Sequence, residues 1–427
     1  MKYFEPSVVI VDDKEKEVSG LIKYYQESGA GCKFFNADMF DGDERPEKQM
    51  SDVTLLYLDL YYEGIPNFDP ELPAGWVRNI IPQKSFYILI LWTRDPSQAN
   101  LILSKLEEYN TKPYLVFTEN KGDYINRSGE YDYDKLTNSI EDKLSNVPAI
   151  EEMLIWKSNL KKTSNIVLGG LICKNTDEFT NKMKKIMVGH GGEIIKDSAP
   201  LRKRTVLFEA LTNVLVSNIP QYDSEYEISE ENKTDLYDLS QINTIHIDNQ
   251  LNSWFHFTLR DDLADKVLPG IISKNNSTFL QKYYSIKDDK AIRHFLEHQW
   301  TSKDTIIEDI VLNITRPCDY AQNKYGKNIK LLSGIKIIKP VRKSSEKLEL
   351  KSKGTKPDCI IIFDHLFHDD KDNDISLIFD FRYSFSLPET IFLNKFKNIK
   401  MLNKELLSEI QVSYGNYVSR LGFTKIF

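Results

Sequence analysis

Five residues within the first 121 have types suited to phosphoryl or cation chemistry: Asp12, Asp13, Asp59, Thr93 and Lys121. A carboxylate is both a nucleophile toward phosphorus and a hard oxygen ligand for a cation. Three carboxylates brought to one place repel one another unless a cation joins them. Oxygen ligands that leave room for water and phosphate suit Mg²⁺. A hydroxyl and an ammonium are the groups that a phosphoryl oxygen carried on Asp59 would need.

The segments before these residues predict how they are positioned. Residues 7–11, SVVIV, run into Asp12-Asp13, and a helix signal follows at once in Val18, Leu21, Ile22 and Tyr25, spaced i, i+3, i+4, i+7. Asp59 sits inside 55–62, LLYLDLYY. Thr93 follows 86–92, FYILILW, and Lys121 lies four residues beyond the run 114–117, YLVF. Short continuous apolar runs of this kind read as parallel strands buried on both faces. In an open α/β sheet, ligands bind at the carboxyl edge of such strands. A second strand is expected at 32–35, a polar acidic loop at 41–52, and helix-like segments at 76–81, at Ala99, Ile102, Leu103 and Leu106, and at Leu136, Ile140, Leu144 and Val147, up to Pro148. The expected fold class over residues 1–148 is therefore α/β, a (βα)5 unit of flavodoxin-like type.

The order strand-DD, strand-D, strand-T, strand-K resembles the receiver domain of two-component response regulators, over roughly residues 5–147. The resemblance implies that Asp59 is the phosphoacceptor and that a partner histidine kinase supplies the phosphoryl group. It implies that Asp12, Asp13, Asp59 and the backbone carbonyl of Tyr61 hold Mg²⁺, that Thr93 is the switch hydroxyl, and that Lys121 pairs with the phosphate. Two features depart from the family pattern. Lys121 is followed by Gly122 instead of proline, and a long segment, EGIPNFDPELPAG, follows the Asp59 strand. By the same resemblance the chain is a signalling protein and not an enzyme. Two alternatives stand beside this one: an unphosphorylated receiver that acts as an interaction scaffold, and a receiver controlling a nucleic-acid-binding or enzymatic C-terminal part.

Length and composition set the frame. A chain of 427 residues predicts two to three domains, and 41% hydrophobic with 28% charged residues is ordinary for a globular protein. No apolar stretch approaches the ~20 residues of a membrane helix, and the start, MKYFEPSVVIVDD, reads as a strand and not as a signal peptide. The four cysteines, Cys32, Cys173, Cys318 and Cys359, are widely spaced with no CxxC. A reducing, cytoplasmic setting is the expectation. The net charge of −7 argues against nucleic-acid binding by the whole chain. The charge is uneven: residues 1–150 carry 16 Lys+Arg against 26 Asp+Glu, whereas residues 157–205 carry 11 against 4. The basic stretch reads as solvated helix faces or a contact for the acidic N-terminal part.

Residues 149–220 are expected to form a helical linker domain, with helices at 150–160, 177–188 and 201–216 around a GHGG turn at 189–192. Residues 221–427 are expected to form a β-rich α+β domain, with strands at 244–247, 254–259, 306–314, 331–339, 359–363 and 375–383. A helix at 289–300, a mobile tip at 344–357 and a closing amphipathic helix at 403–417 complete it. Three motifs here carry residue types suited to chemistry. Cys318 follows a strand at a helix start, where a thiol can be activated, but a small residue at a tight exit is the plainer reading. His294 and His298 are spaced i, i+4, but the glutamate of a zinc protease motif is missing. His365 and His368 lie beside Asp364, Asp369 and Asp370, a metal cluster or a solvated turn. The stretch 315–324, TRPCDYAQNK, is similar to a strand-then-Cys-Asp motif in bacterial β-rich proteins. Some of those carry atypical receivers and belong to phage-defence phosphorelays such as Detocs. A homodimer or a downstream effector protein completes the expected partners.

Overall fold

The computed structural model describes residues 4–38, 45–63, 67–219, 228–240, 242, 248–259, 262–275, 306–322, 324–339, 358–369 and 373–419. The chain divides into two units, Met1–Lys157 with Tyr226–Asp238, and Ser158–Glu225 with Leu239–Phe427.

In the first unit, β1 (Val8–Asp12), β2 (Cys32–Asn36), β3 (Leu55–Leu58), β4 (Ile88–Thr93) and β5 (Leu115–Asn120) form a parallel sheet in the order β2-β1-β3-β4-β5. This is the flavodoxin-like order, with its switch point between β1 and β3. Four helices accompany it among the described residues: α1 (Glu15–Glu27), α2 (Glu71–Ile80), α3 (Ala99–Glu108) and α4 (Tyr133–Ser145). A (βα)5 unit has five. No helix lies between β2 and β3 among the described residues; Met50 and Val53 of this stretch pack into the core without one.

Side chains alternate across the sheet with a period of two. Val8, Ile10, Tyr57, Ile90 and Trp92 pack on one side with Val18, Leu21 and Tyr25 of α1 and Leu136 and Ile140 of α4. Val9, Val11, Leu56, Leu58, Leu89 and Leu91 pack on the other with Trp76, Val77 and Ile80 of α2 and Ile102 and Leu106 of α3. Burial of both faces is why these strands are continuous apolar runs in the sequence.

Beyond it come α5 (Pro148–Gly169), within which the two units divide, α6 (Thr176–Gly191) and α7 (Pro200–Asn218), near the three expected helices. The GHGG segment ends α6, and Gly192 turns the chain with φ 72°. A short α8 (Glu230–Thr234) belongs to the first unit.

The second unit holds a six-stranded antiparallel sheet: β6 (Ile271–Asn275), β7 (Ile306–Asn313), β8 (Asn328–Lys339), β9 (Ile360–His368), β10 (Asp374–Pro388) and β11 (Phe396–Met401), in the order β11-β6-β7-β8-β10-β9. One face of this half-open sheet carries Ile310, Leu312, Leu332, Leu377 and Phe379 and packs against Leu406, Leu407 and Ile410 of the closing helix. The other carries Val311, Leu331 and Ile329 with Phe392 and Phe396. The remaining helices among the described residues are α9 (Asn249–His256), α10 (Pro317–Ala321), α11 (Glu389–Lys395) and α12 (Lys404–Val418).

The strand expected at 254–259 is not formed. Helix α9 runs through His256, and only Phe257 makes a single bridge, to Leu402. The Asp248 carboxylate accepts the Gln250 and Leu251 N–H groups and so caps a helix start, overriding the β preference of the aromatic residues. Strands β6 and β11 were not anticipated. The segments expected at 244–247, 289–300 (with His294 and His298) and 344–357 lie outside the described residues. No helix among the described residues is long and apolar enough to cross a membrane.

Candidate functional site

The carboxyl edge of the parallel sheet gathers four of the five predicted side chains. Asp12 ends β1 and is 0% exposed. Asp59 follows β3 directly, and its N–H donates to the Val11 carbonyl at 2.9 Å, which holds the exit of β3 beside β1. Lys121 follows β5 directly and opens a short 3-10 turn, Lys121–Tyr124. The sequence places the end of this strand at Phe117. The strand instead continues through Thr118, Glu119 and Asn120, paired with Leu91, Trp92 and Thr93. The gap of four residues before Lys121 is therefore strand. Its polar Glu119 is buried and is satisfied by the Tyr124 hydroxyl at 2.6 Å and by Lys143.

Lys121 is 1% exposed and reaches back across the sheet edge. Its Nζ donates to Asp59 Oδ2 at 2.6 Å, 62 residues away in sequence, to Asp12 Oδ2 at 2.7 Å and to Glu17 Oε2 at 3.2 Å. Burial opposes the lysine charge, yet Asp12 and Asp59 outweigh it and hold its pKa above the ordinary value. Burial pushes the Asp12 carboxyl up to about 7; Lys121 pulls against that shift and the charge of Asp59 adds to it. Asp59 is raised as well, again by burial, with Lys121 and the backbone N–H groups opposing. One buried ammonium does not fully offset the carboxylates beside it.

The remaining oxygens are oriented by backbone. Asp12 Oδ1 accepts the Lys14 N–H at 2.8 Å. Asp59 Oδ1 accepts the Leu60 N–H at 2.7 Å and the Tyr61 N–H at 3.4 Å. Asp13 Oδ2 accepts the Glu63 N–H. Each carboxylate oxygen has a second lone pair. One oxygen from each of Asp12, Asp13 and Asp59 lies within 4.8 Å of the others, so these three can hold a metal ion. Their all-oxygen chemistry and uncompensated charge fit a hard cation.

A cavity of about 340 Å³ opens here, lined by Asp13, Asp59, Glu17, Tyr61, Tyr62 and Arg94 among others. Arg94 donates to Glu17 Oε1 at 2.6 Å, and the Tyr61 hydroxyl donates to Asp95 Oδ2 at 3.0 Å. Thr93, the fifth predicted residue, ends β4 fully buried. It is not among the lining residues, and its hydroxyl accepts the Asp95 N–H at 3.4 Å. Tyr62 also lines the cavity; its hydroxyl is buried and has no hydrogen-bond partner. Burial, then the charges of Asp59, Asp12 and Asp13, hold its pKa well above the ordinary tyrosine value.

Glu17, Arg94 and Tyr62 went unnoticed in the sequence. Glu17 had a signal: it lies on α1 one turn before Leu21, on the side that meets the sheet edge. Arg94 and Tyr62 had none, because only the folded loops bring them to the cavity.

In the second unit, His365 is buried with φ 51°, its Nδ1 2.5 Å from Asp374 Oδ2 and its Nε2 3.6 Å from Asp364 Oδ2. His368 is exposed, Asp369 bonds Asn373, and Asp370 is outside the described residues. Among the described residues no three ligand atoms of this stretch all lie within 4.8 Å of one another, so the metal cluster suggested by this histidine-rich stretch is not formed. Cys318 is exposed in the first turn of the five-residue α10.

A flavodoxin-like parallel sheet with Asp12, Asp13 and Asp59 at its edge is compatible with a receiver domain. Comparison with protein-family models, with curated proteins and with solved structures found no match to this chain.

Proposed function

We propose that the first unit is a receiver that accepts a phosphoryl group on Asp59 from a phosphohistidine of a partner histidine kinase, and that the rest of the chain carries the output. The observation that supports this most is Lys121, buried at the end of β5 with its ammonium on both Asp59 and Asp12. A lysine there serves no packing need, but it is what a developing phosphoryl charge requires. In the transfer, a free lone pair of Asp59 forms a bond to phosphorus as the P–N bond to the histidine breaks. The departing imidazole keeps the bonding pair and takes up a proton. Leu60 N–H and Lys121 fix the orientation of the Asp59 carboxylate, and Lys121 and Arg94 balance charge on the equatorial oxygens. Mg²⁺, held by Asp12, Asp13, Asp59 and the Tyr61 carbonyl, would supply the remaining charge neutralisation. The phosphorylated aspartate carries new charge and acceptor oxygens, and rearrangement around them passes the signal on. A place in a phage-defence phosphorelay, as regulator or phosphate buffer, is consistent with this chemistry.

The test is intact mass of the whole chain after incubation with acetyl phosphate and Mg²⁺, beside Asp59→Asn and a chelator control. A Mg²⁺-dependent gain of one phosphoryl group in wild type alone is expected. No gain, with no thermal shift on adding Mg²⁺ and beryllofluoride, would leave the unit as an interaction scaffold held together by the Lys121 ion pairs.

A further inference from the structure

Among the described residues, most polar side chains near the acidic edge have a partner. The Tyr62 hydroxyl does not. It is buried, Tyr62 is among the residues that line the cavity with Asp59 and Asp13, and no acceptor or donor reaches the hydroxyl. Leaving a buried hydroxyl unpaired costs free energy, so its persistence beside a charged cavity points to a ligand that pairs with it. Thr93, to which the receiver resemblance assigns the switch role, is buried at the end of β4, and its oxygen accepts the Asp95 N–H at 3.4 Å. A phosphoryl group has three outer oxygens to satisfy. The donors that the chain offers here include the Lys121 ammonium at Asp59, the Arg94 guanidinium, now on Glu17, the Lys14 ammonium, and the Tyr62 O–H.

We infer that the Tyr62 hydroxyl is a positioning residue that donates a hydrogen bond to an oxygen of the phosphoryl group carried on Asp59. This rests on the phosphoacceptor reading above. It adds a second sensing hydroxyl, in the loop that follows β3. Two oxygens could accept this proton, one on the phosphoryl group and one on a water held by the cation. The proposal commits to the first.

The experiment uses the full chain as wild type and Tyr62→Phe, which keeps the ring and removes one oxygen. The probes are Mg²⁺ alone and Mg²⁺ with beryllofluoride, followed by calorimetry and by fluorine NMR of the bound beryllofluoride. Without ligand, Tyr62→Phe should melt at or above the wild-type temperature, since no hydrogen bond is lost. Its affinity for Mg²⁺ alone should stay within about twofold, and its affinity for beryllofluoride should fall about tenfold, as loss of one hydrogen bond to a charged group predicts. The fluorine resonances should shift, which a purely structural effect of the ring would not produce. Unchanged beryllofluoride affinity and unchanged resonances would overturn the proposal while leaving the receiver intact. An equal loss of Mg²⁺ affinity would overturn it in favour of the cation's water. If wild type neither gains a phosphoryl group nor binds beryllofluoride, the receiver reading fails and this inference falls with it.

Discussion

Lys121 and the carboxylates around it make opposite predictions when either side is removed. Lys121→Met leaves Asp12 and Asp59 buried without their cation. Breaking one side of a buried pair costs about 3 kcal/mol or more, so urea unfolding at pH 8 in chelator should show a loss of that order. Added Mg²⁺ should recover part of it. Equal stability of variant and wild type would mean that the ion pairs do not hold the edge together. Asp12→Asn removes one repelling charge while Lys121 keeps Asp59 and Glu17, so stability in chelator should hold or rise while the thermal response to Mg²⁺ disappears. The pH dependence has a definite sign. The Asp12 pKa is raised on folding, from the ordinary carboxylate range to about 7. Its contribution to stability is therefore full below the unfolded value and is lost as pH rises through the folded one. In chelator the melting temperature should fall across that window. The shift produced by Mg²⁺ should grow over the same range, because the cation displaces a proton; a flat Mg²⁺ response from pH 5.5 to 8 would rule this out. Asp12 and Asp59 were legible in the sequence because an acid interrupts an apolar run there. Tyr62 was not, since a tyrosine after a strand looks like any core aromatic until its hydroxyl is found without a partner.

The elements that carry these residues depend on close approaches that composition hides. Helix α1 contains Gly20, where a Cβ would come within 2.2 Å of the Tyr133 ring at the start of α4. The Tyr133 hydroxyl donates to the Glu17 carbonyl at 2.9 Å, one turn before that glycine. Alanine at position 20 gains about 1 kcal/mol of helix propensity. Overpacking typically costs about 1–3 kcal/mol, and the ring has no free direction while its hydroxyl is bonded. Gly20→Ala should therefore lower the melting temperature and disturb the tyrosine near-ultraviolet signal; a rise would show that α4 yields easily. The parallel sheet was legible because burial on both faces writes itself as apolar runs. Its β5 boundary was not, because Thr118, Glu119 and Asn120 extend the strand through backbone pairing that polar side chains give no sign of. The antiparallel sheet was partly legible: β7, β8, β9 and β10 are long apolar strands, whereas FKNIKM of β11 alternates with lysine and reads as loop. Helix α9 was misread for the opposite reason, since the Asp248 cap acts through geometry and the aromatic composition points to strand.

At the scale of the molecule, the division into units does not follow a single cut in the chain. The chain leaves the first unit after Lys157, returns for Tyr226–Asp238 and leaves again. Residues 221–240 are polar, acidic and tyrosine-containing, and charge patterning gives no reason for a return. A buried asparagine anchors the returning segment. Asn232 is 0% exposed, and its Nδ2 donates to Glu151 Oε2 at 2.9 Å and to Glu152 Oε1 at 3.4 Å at the start of α5. Its carbonyl accepts the Tyr237 N–H at 2.9 Å, which closes the segment on itself. Hydrogen bonds to charged groups are worth about 1.5–3 kcal/mol each, and a five-residue helix cannot hold itself in place without such anchors. Asn232→Ala should therefore release this segment alone. Hydrogen exchange should quicken over 228–238 and the first turns of α5, while β1, β3 and β4 keep their protection and the phosphorylation of Asp59 proposed above is unaffected. If exchange over 228–238 matched wild type, the return of the chain would rest on something other than this asparagine. If protection of the parallel sheet fell with it, the segment would be an integral part of the receiver fold, and its release would be a means of controlling the site.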